Sequence, residues 1–172
     1  GAAHGASAAS RTLLDFSSDA DLSAWQPGPG AAPPSHAAHA GGVRFDLPFR
    51  SGVDRVYWDR PVALDLSNTE GFQITLSCSR PDAVRHMALY FRSGDGWYAR
   101  LLPIERAGVQ TLRFPRDEFG AEGAPDGWDR ITGVRLSPWK DRAVDAELHL
   151  YAFERMAVET AVSGPEELQT PV

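Results

Sequence analysis

The sequence has little that would staple or anchor a fold from outside. It carries one cysteine, Cys78, in 172 residues, so no disulfide can close within the chain. That count leaves the compartment open. No apolar run approaches the length of a membrane-spanning helix. Positive charge is also short: 17 Lys and Arg stand against 23 Asp and Glu, a formal net charge of −6. Such a balance gives no basic footprint for nucleic acid. The arginines are interspersed with acids, so no polybasic segment exists for a membrane surface. The histidines show no HExxH spacing and there is no cysteine pair, which removes the usual zinc motifs. No nucleophile elbow, phosphate loop or dinucleotide fingerprint is present. The glycines of "SGDG" (93–96) lead into a strand rather than a helix, so they make no phosphate cradle. Helical signal is sparse. One turn fits 17–25 with Ser17 or Ser18 as cap, another fits 115–119 with Pro115 at its first position, and 125–131 reads as a turn or a single 3₁₀ turn.

What is present is alternation. Apolar residues make up 42% and charged residues 23%, the balance of a globular domain. Ten short strand-like runs are separated by turn residues: 12–16, 43–47, 55–60, 62–66, 71–79, 84–92, 96–104, 108–115, 131–139 and 146–158. In the fifth, Phe72, Ile74, Leu76 and Cys78 share one face while Gln73, Thr75, Ser77 and Ser79 share the other. With Leu89 and Phe91 of the next run, these apolar residues are the expected core. Strands of this length and spacing predict an all-β antiparallel sandwich or barrel. The expected organisation is a flexible N-terminal tail at 1–11, a β-sandwich domain at 12–158 and a C-terminal linker or tail at 159–172. The start, "GAAHGASAAS", lacks the basic and apolar regions of a signal peptide. It reads as the tail of a mature exported chain, periplasmic or extracellular, and Gly1 in place of Met reads as a trimmed start. The stretch 27–42 is expected to be a long loop.

The order of motifs adds a resemblance. "LYFRSGDGWY", "GVQTLRFPRDEF", "GAPDGWDRITGVRLSPW" and "AELHLYAFE" follow one another in the second half. The first half offers "LLDF", Trp25 and "YWDRPVALDLSNTEGFQITL". From about Leu13 to Phe153 the chain resembles the galactose-binding-like jelly-roll domains that serve as carbohydrate-binding modules, or accessory domains, of bacterial glycoside hydrolases. The resemblance implies two packed antiparallel sheets, a carbohydrate ligand on a concave face or at the strand-end loops, no catalysis, and a catalytic domain as partner in a full-length chain. Many such domains hold a structural calcium between an acidic residue of the first strand and an acidic pair in the last. Here Asp15 is kept, but Leu150, Tyr151, Ala152 and Phe153 stand where the pair would fall, flanked by Glu147 and Glu154. No cofactor is expected on these residues, and no metal ligand is assigned.

The candidate binding residues are Arg92, Asp95, Trp97, Tyr98, Arg100 and Trp139. Trp97 and Tyr98 are adjacent on a strand, so one ring faces inward and the other outward. That leaves a plain hairpin with one core aromatic, or a platform on which a pyranose stacks while Arg92, Asp95 and Arg100 bond its hydroxyls. Trp139, followed by Lys140, Asp141 and Arg142, reads as an exposed loop contact. Trp58 reads as core, Trp25 as a pin holding the N-terminal segment, and Trp128 as a plug at one end of the sandwich. His4, His36 and His39 fall in segments read as flexible, while His86 and His149 occupy outward strand positions. Two alternatives accompany the binding module. One is a structural domain that packs on a catalytic neighbour and binds no sugar. The other is a jelly-roll polysaccharide lyase, for which Tyr90, Arg92, His86 and Tyr98 offer a base and an arginine to neutralise a uronate.

Overall fold

A computed structural model of the chain describes residues 10–38 and 41–157. Twelve strands are present among them: β1 (Ser10–Leu14), β2 (Gln26–Pro27), β3 (Ser35–His36), β4 (Val43–Leu47), β5 (Trp58–Leu64), β6 (Thr69–Cys78), β7 (Val84–Ser93), β8 (Asp95–Leu102), β9 (Gln110–Pro115), β10 (Gly120–Ala124), β11 (Ile131–Lys140) and β12 (Ala146–Ala157). They form two six-stranded sheets. The first runs β3-β4-β12-β6-β9, with β1 also paired to β12, and the second runs β10-β8-β7-β11-β5-β2. All the pairings are antiparallel. This is the β-sandwich of the jelly-roll type that the sequence predicts.

The alternation sets which faces meet. Phe72, Ile74, Leu76 and Cys78 from β6, Leu148, Leu150 and Phe153 from β12, and Met87, Leu89 and Phe91 from β7 are buried between the sheets. The parity of β12 changes between Leu150 and Phe153 because a bulge lies between Leu150 and Ala152. At one end, Phe72 meets the rings of Phe91, Phe114, Phe119, Trp128 and Phe153 at centroid distances of 4.9–6.2 Å. At the other, Phe45 packs against Trp25 and Trp58. Burial pushes the Cys78 thiol pKa up.

Several elements differ from expectation, each for a local reason. The runs 55–60 and 62–66 belong in part to one strand, β5, which passes through Pro61. Its outer neighbour β2 pairs only with Trp58 and Asp59, so Pro61 lies where that edge is uncovered and needs no amide. The stretch 27–42 is shorter as a loop than its composition implies. It holds β2 and β3, and its Ala32 carbonyl accepts from Trp58 Nε1 at 2.8 Å. His36, read as flexible, sits in β3 with Nε2 2.7 Å from Asp19 Oδ1. The exposed, small-residue β10 gave no strand pattern; it forms because β8 offers its edge. The one α-helix among the described residues, α1 (Asp19–Ser23), starts at Ser18, whose Oγ accepts from the Asp21 amide while Asp21 accepts from the Ser18 amide. Ser10 and Arg11, counted with the tail, already pair in β1 with Met156 and Arg155. The remainder of the expected tails, with His4 and His39, lies outside the described residues.

Candidate functional site

The hairpin of β7 and β8 turns through Gly94 and Asp95, with Ser93 paired to Gly96. Gly94 has φ of 55°, and a Cβ there would lie 2.8 Å from the Asp126 carboxyl carbon, so glycine is required twice over. Ser93 Oγ donates to the Gly127 carbonyl and accepts from the Asp126 amide, fixing the turn to the loop beside Trp128. Register then decides the two rings. Tyr98 lies opposite Phe91 and faces the core, stacked on Trp128 at 4.1 Å and 12°. Trp97 lies opposite Arg92 and faces outward, with Tyr90 edge-on at 5.8 Å.

The outer face of the second sheet continues from Trp97. Its outward positions are His86, Ala88, Tyr90 and Arg92 on β7, set by register opposite Trp139, Ser137, Arg135 and Gly133 of β11 in that order. Asp59 of β5 lies opposite Arg135, and Arg55 bridges to Trp139. Three rings and three guanidinium groups interleave there. Arg92 and Arg135 sit 5.1 and 4.7 Å from the Trp97 ring. Arg135 and Arg55 sit 4.1 and 5.1 Å from Tyr57. Arg55 also sits 4.8 Å from Trp139, and His86 lies 6.1 Å from the same ring. From the Arg92–Gly133 row to the His86–Trp139 row is six residues, roughly 20 Å along the strands.

The groups are held from beneath. Arg135 makes a forked contact with Asp59, Nε to Oδ1 at 2.6 Å and Nη2 to Oδ2 at 2.9 Å, and this hydrogen bonding raises the guanidinium pKa. Arg55 Nε donates to Ser137 Oγ at 2.9 Å, and Ser137 donates on to the Val56 carbonyl. Arg55 Nη2 is sheltered and has no hydrogen-bond partner among the described residues. Gly28 lies under Tyr57, where a Cβ would come within 2.4 Å of the ring. Burial, then the charge of Arg85, depresses the His86 pKa, so its imidazole is neutral near pH 7.

Of the six candidate residues, the structure brings Arg92, Trp97 and Trp139 onto this one face. Trp139 is in β11 and half-buried, not on a loop. Tyr98 belongs to the core, which also takes it out of the residues considered for a lyase. Arg100 has the inward parity of Tyr98 and pairs at the sheet edge with Glu118 at 2.8 Å. Asp95 is exposed in the hairpin turn. Sequence reasoning missed Arg55, Tyr57 and Arg135 as members, while it placed Asp59 as a partner for Arg60 or for ligand. The same period of two that places Trp139 outward also places Arg135 and Ser137 outward, so that signal was available.

Other clefts carry less. One of about 370 Å³ lies on the first sheet, lined by Arg44, Asp46, Pro48, Asp145 and Glu147, and there Arg44 already pairs with Asp46 and Glu147. Asp15 and Glu154 share a smaller cleft between β1 and β12, the region in which the resemblance implies calcium. Arg60 Nη1 donates to the Asp15 carbonyl at 2.9 Å, Gln73 Nε2 donates to Glu154, and no group of three or more His, Cys, Asp or Glu gathers to hold a metal among the described residues. Calcium asks for six to eight oxygens.

The fold is that of the jelly-roll carbohydrate-binding modules. No family model matches the sequence, and no curated protein matches it. Solved structures do match in fold. A family 11 carbohydrate-binding module of a cellulosomal cellulase of Clostridium thermocellum superposes with a TM-score of 0.59 at 14% identity, covering 87% of this chain and 95% of that one. A structure of the family 11 module from the same organism, in complex with a β-1,3-1,4-mixed-linked tetrasaccharide, gives 0.59 at 13% identity, covering 88% and 98%. An agarase gives 0.63 at 12% identity, covering 86% of this chain but only 24% of its own. The chain thus spans about a quarter of that agarase.

Proposed function

We propose that this protein is a non-catalytic carbohydrate-binding module, and that a poly- or oligosaccharide lies across the outer face of the second sheet. One observation carries the reading: Trp97, Tyr57 and Trp139 form a row on one outer face, braced by Arg135 and Arg55. Pyranose rings offer apolar C–H faces and a rim of hydroxyls. Flat rings interleaved with planar hydrogen-bond donors suit both. The tetrasaccharide-bound family 11 module, which shares the fold, supports carbohydrate binding as the role. Similarity to one segment of an agarase supports a place beside a catalytic domain in a longer, exported chain, periplasmic or extracellular.

The test is retardation of the native protein in gels cast with single polysaccharides, followed by calorimetry on any that retard it. Trp97→Ala and Trp139→Ala should each weaken binding by about tenfold, the loss of roughly 1 kcal/mol or more of ring contact. Retention of full affinity by both variants would overturn the assignment of the face. The same incubations report on the lyase alternative, for which Tyr90, Arg92 and His86 share this face. Release of unsaturated uronate products, abolished by Tyr90→Phe, would replace the binding reading with catalysis.

A further inference from the structure

We infer that the glycan taken by this face is anionic, its carboxylate or sulfate groups held by Arg92, Arg135 and Arg55. The inference rests on the glycan-binding reading and goes further by naming the ligand class. Three observations carry it. First, all three rings have guanidinium groups against them: Trp97 has Arg92 and Arg135, Tyr57 has Arg135 and Arg55, and Trp139 has Arg55. Ring surface that a neutral pyranose would use is therefore shared with cations, and the incoming ligand meets guanidinium N–H edges. Second, two of the three cations are not cancelled. Asp59 is engaged with Arg135, and Glu122 lies opposite Trp97 on the edge strand β10. Arg55 and Arg92 have no carboxylate partner among the described residues. Third, the chain as a whole carries −6, so an excess of arginine on one face runs against the protein's own charge. Stacked, weakly hydrated guanidinium groups, of which Arg92 is exposed and makes no described side-chain hydrogen bond, match the oxygens of a carboxylate or a sulfate.

Binding of the native protein should be compared by calorimetry across polygalacturonate, alginate, a sulfated carrageenan, mixed-linked β-glucan and agarose, at low and at high salt. An anionic glycan should bind at least about tenfold more tightly than either neutral one, the gain expected from one or more charge-assisted hydrogen bonds. Added salt should erode that gain, because exposed charges are screened over a few ångströms at high ionic strength. Preference for the polyuronates or for the carrageenan separates carboxylate from sulfate, and either supports the inference. Arg92→Gln should remove most of the preference and leave the melting temperature unchanged, since the residue is exposed and its described contact is with a ring. Arg55→Gln provides a second reading at the far end of the row. Equal or tighter binding of neutral glucan or agarose, insensitive to salt and to Arg92→Gln, would overturn the inference while leaving the glycan-binding reading intact. Failure to bind any of the five would overturn both.

Discussion

The two sheets present outer faces of opposite character. On the first sheet, polar side chains satisfy one another. Arg44 pairs with Asp46 and Glu147, and Glu147 with His149. Tyr151 Oη lies within hydrogen-bond distance of both His149 and Ser77. Arg113 donates to Gln73, which donates to Glu154. On the second sheet, arginines lie on rings and only Arg135 of the three has a carboxylate against it. Both faces are built by the same alternation over the same core. The lesson is that charge content alone does not mark a working surface. A face whose charges are closed within the sheet has little to offer a ligand. A face whose cations are parked on aromatics keeps donors in hand without collapsing onto a neighbouring acid.

Breaking the shared core should erase the contrast altogether. Phe72→Ala should cost about 3–5 kcal/mol, because its ring contacts five others; urea denaturation measures it. Next in size is the neighbouring pair on β8. Tyr98→Ala should lower stability by on the order of 2 kcal/mol through loss of its stack on Trp128. Trp97→Ala should leave the melting temperature nearly unchanged and act on glycan affinity. If both substitutions lowered stability equally, the separation of faces would fail at its best-resolved point. Smaller again is the response to pH. The His86 pKa is depressed in the folded chain, so the stability tied to its neutral ring is present above the ordinary value of about 6.5 and is lost as pH falls from there through the lower folded value. His86→Gln should flatten the stability profile in that window, as followed by melting temperature against pH. The smallest effect belongs to the first sheet. Arg44→Gln should change neither glycan affinity nor salt dependence, which titration with the best ligand of the screen can check.

Much of this fold is legible in the sequence because its cause is local. A period of two in 71–79 and 84–92 places Phe72, Ile74, Leu76, Leu89 and Phe91 in the core, and all five are fully buried. Parity likewise separates Trp97 from Tyr98, although not which ring goes inward; that depends on Phe91 lying opposite Tyr98. The rest of the candidate site depends on pairings that no window of sequence contains. Arg135 reaches Trp97 only because β11 lies beside β7, and Tyr57 joins them from the run before β5. Pro138 reads as a strand end, since proline lacks the ladder amide. The strand nevertheless continues: the Pro138 carbonyl accepts from the Val56 amide, and the Lys140 amide reaches the Asp54 carbonyl. Trp139 is thereby kept in β11. β2, β3 and β10 are short or built from small and polar residues, and form because a neighbouring strand offers an edge.

The adjacency of Trp97 and Tyr98 has an evolutionary corollary. Residue 98 answers to the core and residue 97 to the outer face, yet their codons are adjacent. On the proposed reading, a substitution at 97 retunes the ligand at little cost in stability, whereas one at 98 is felt first by the fold.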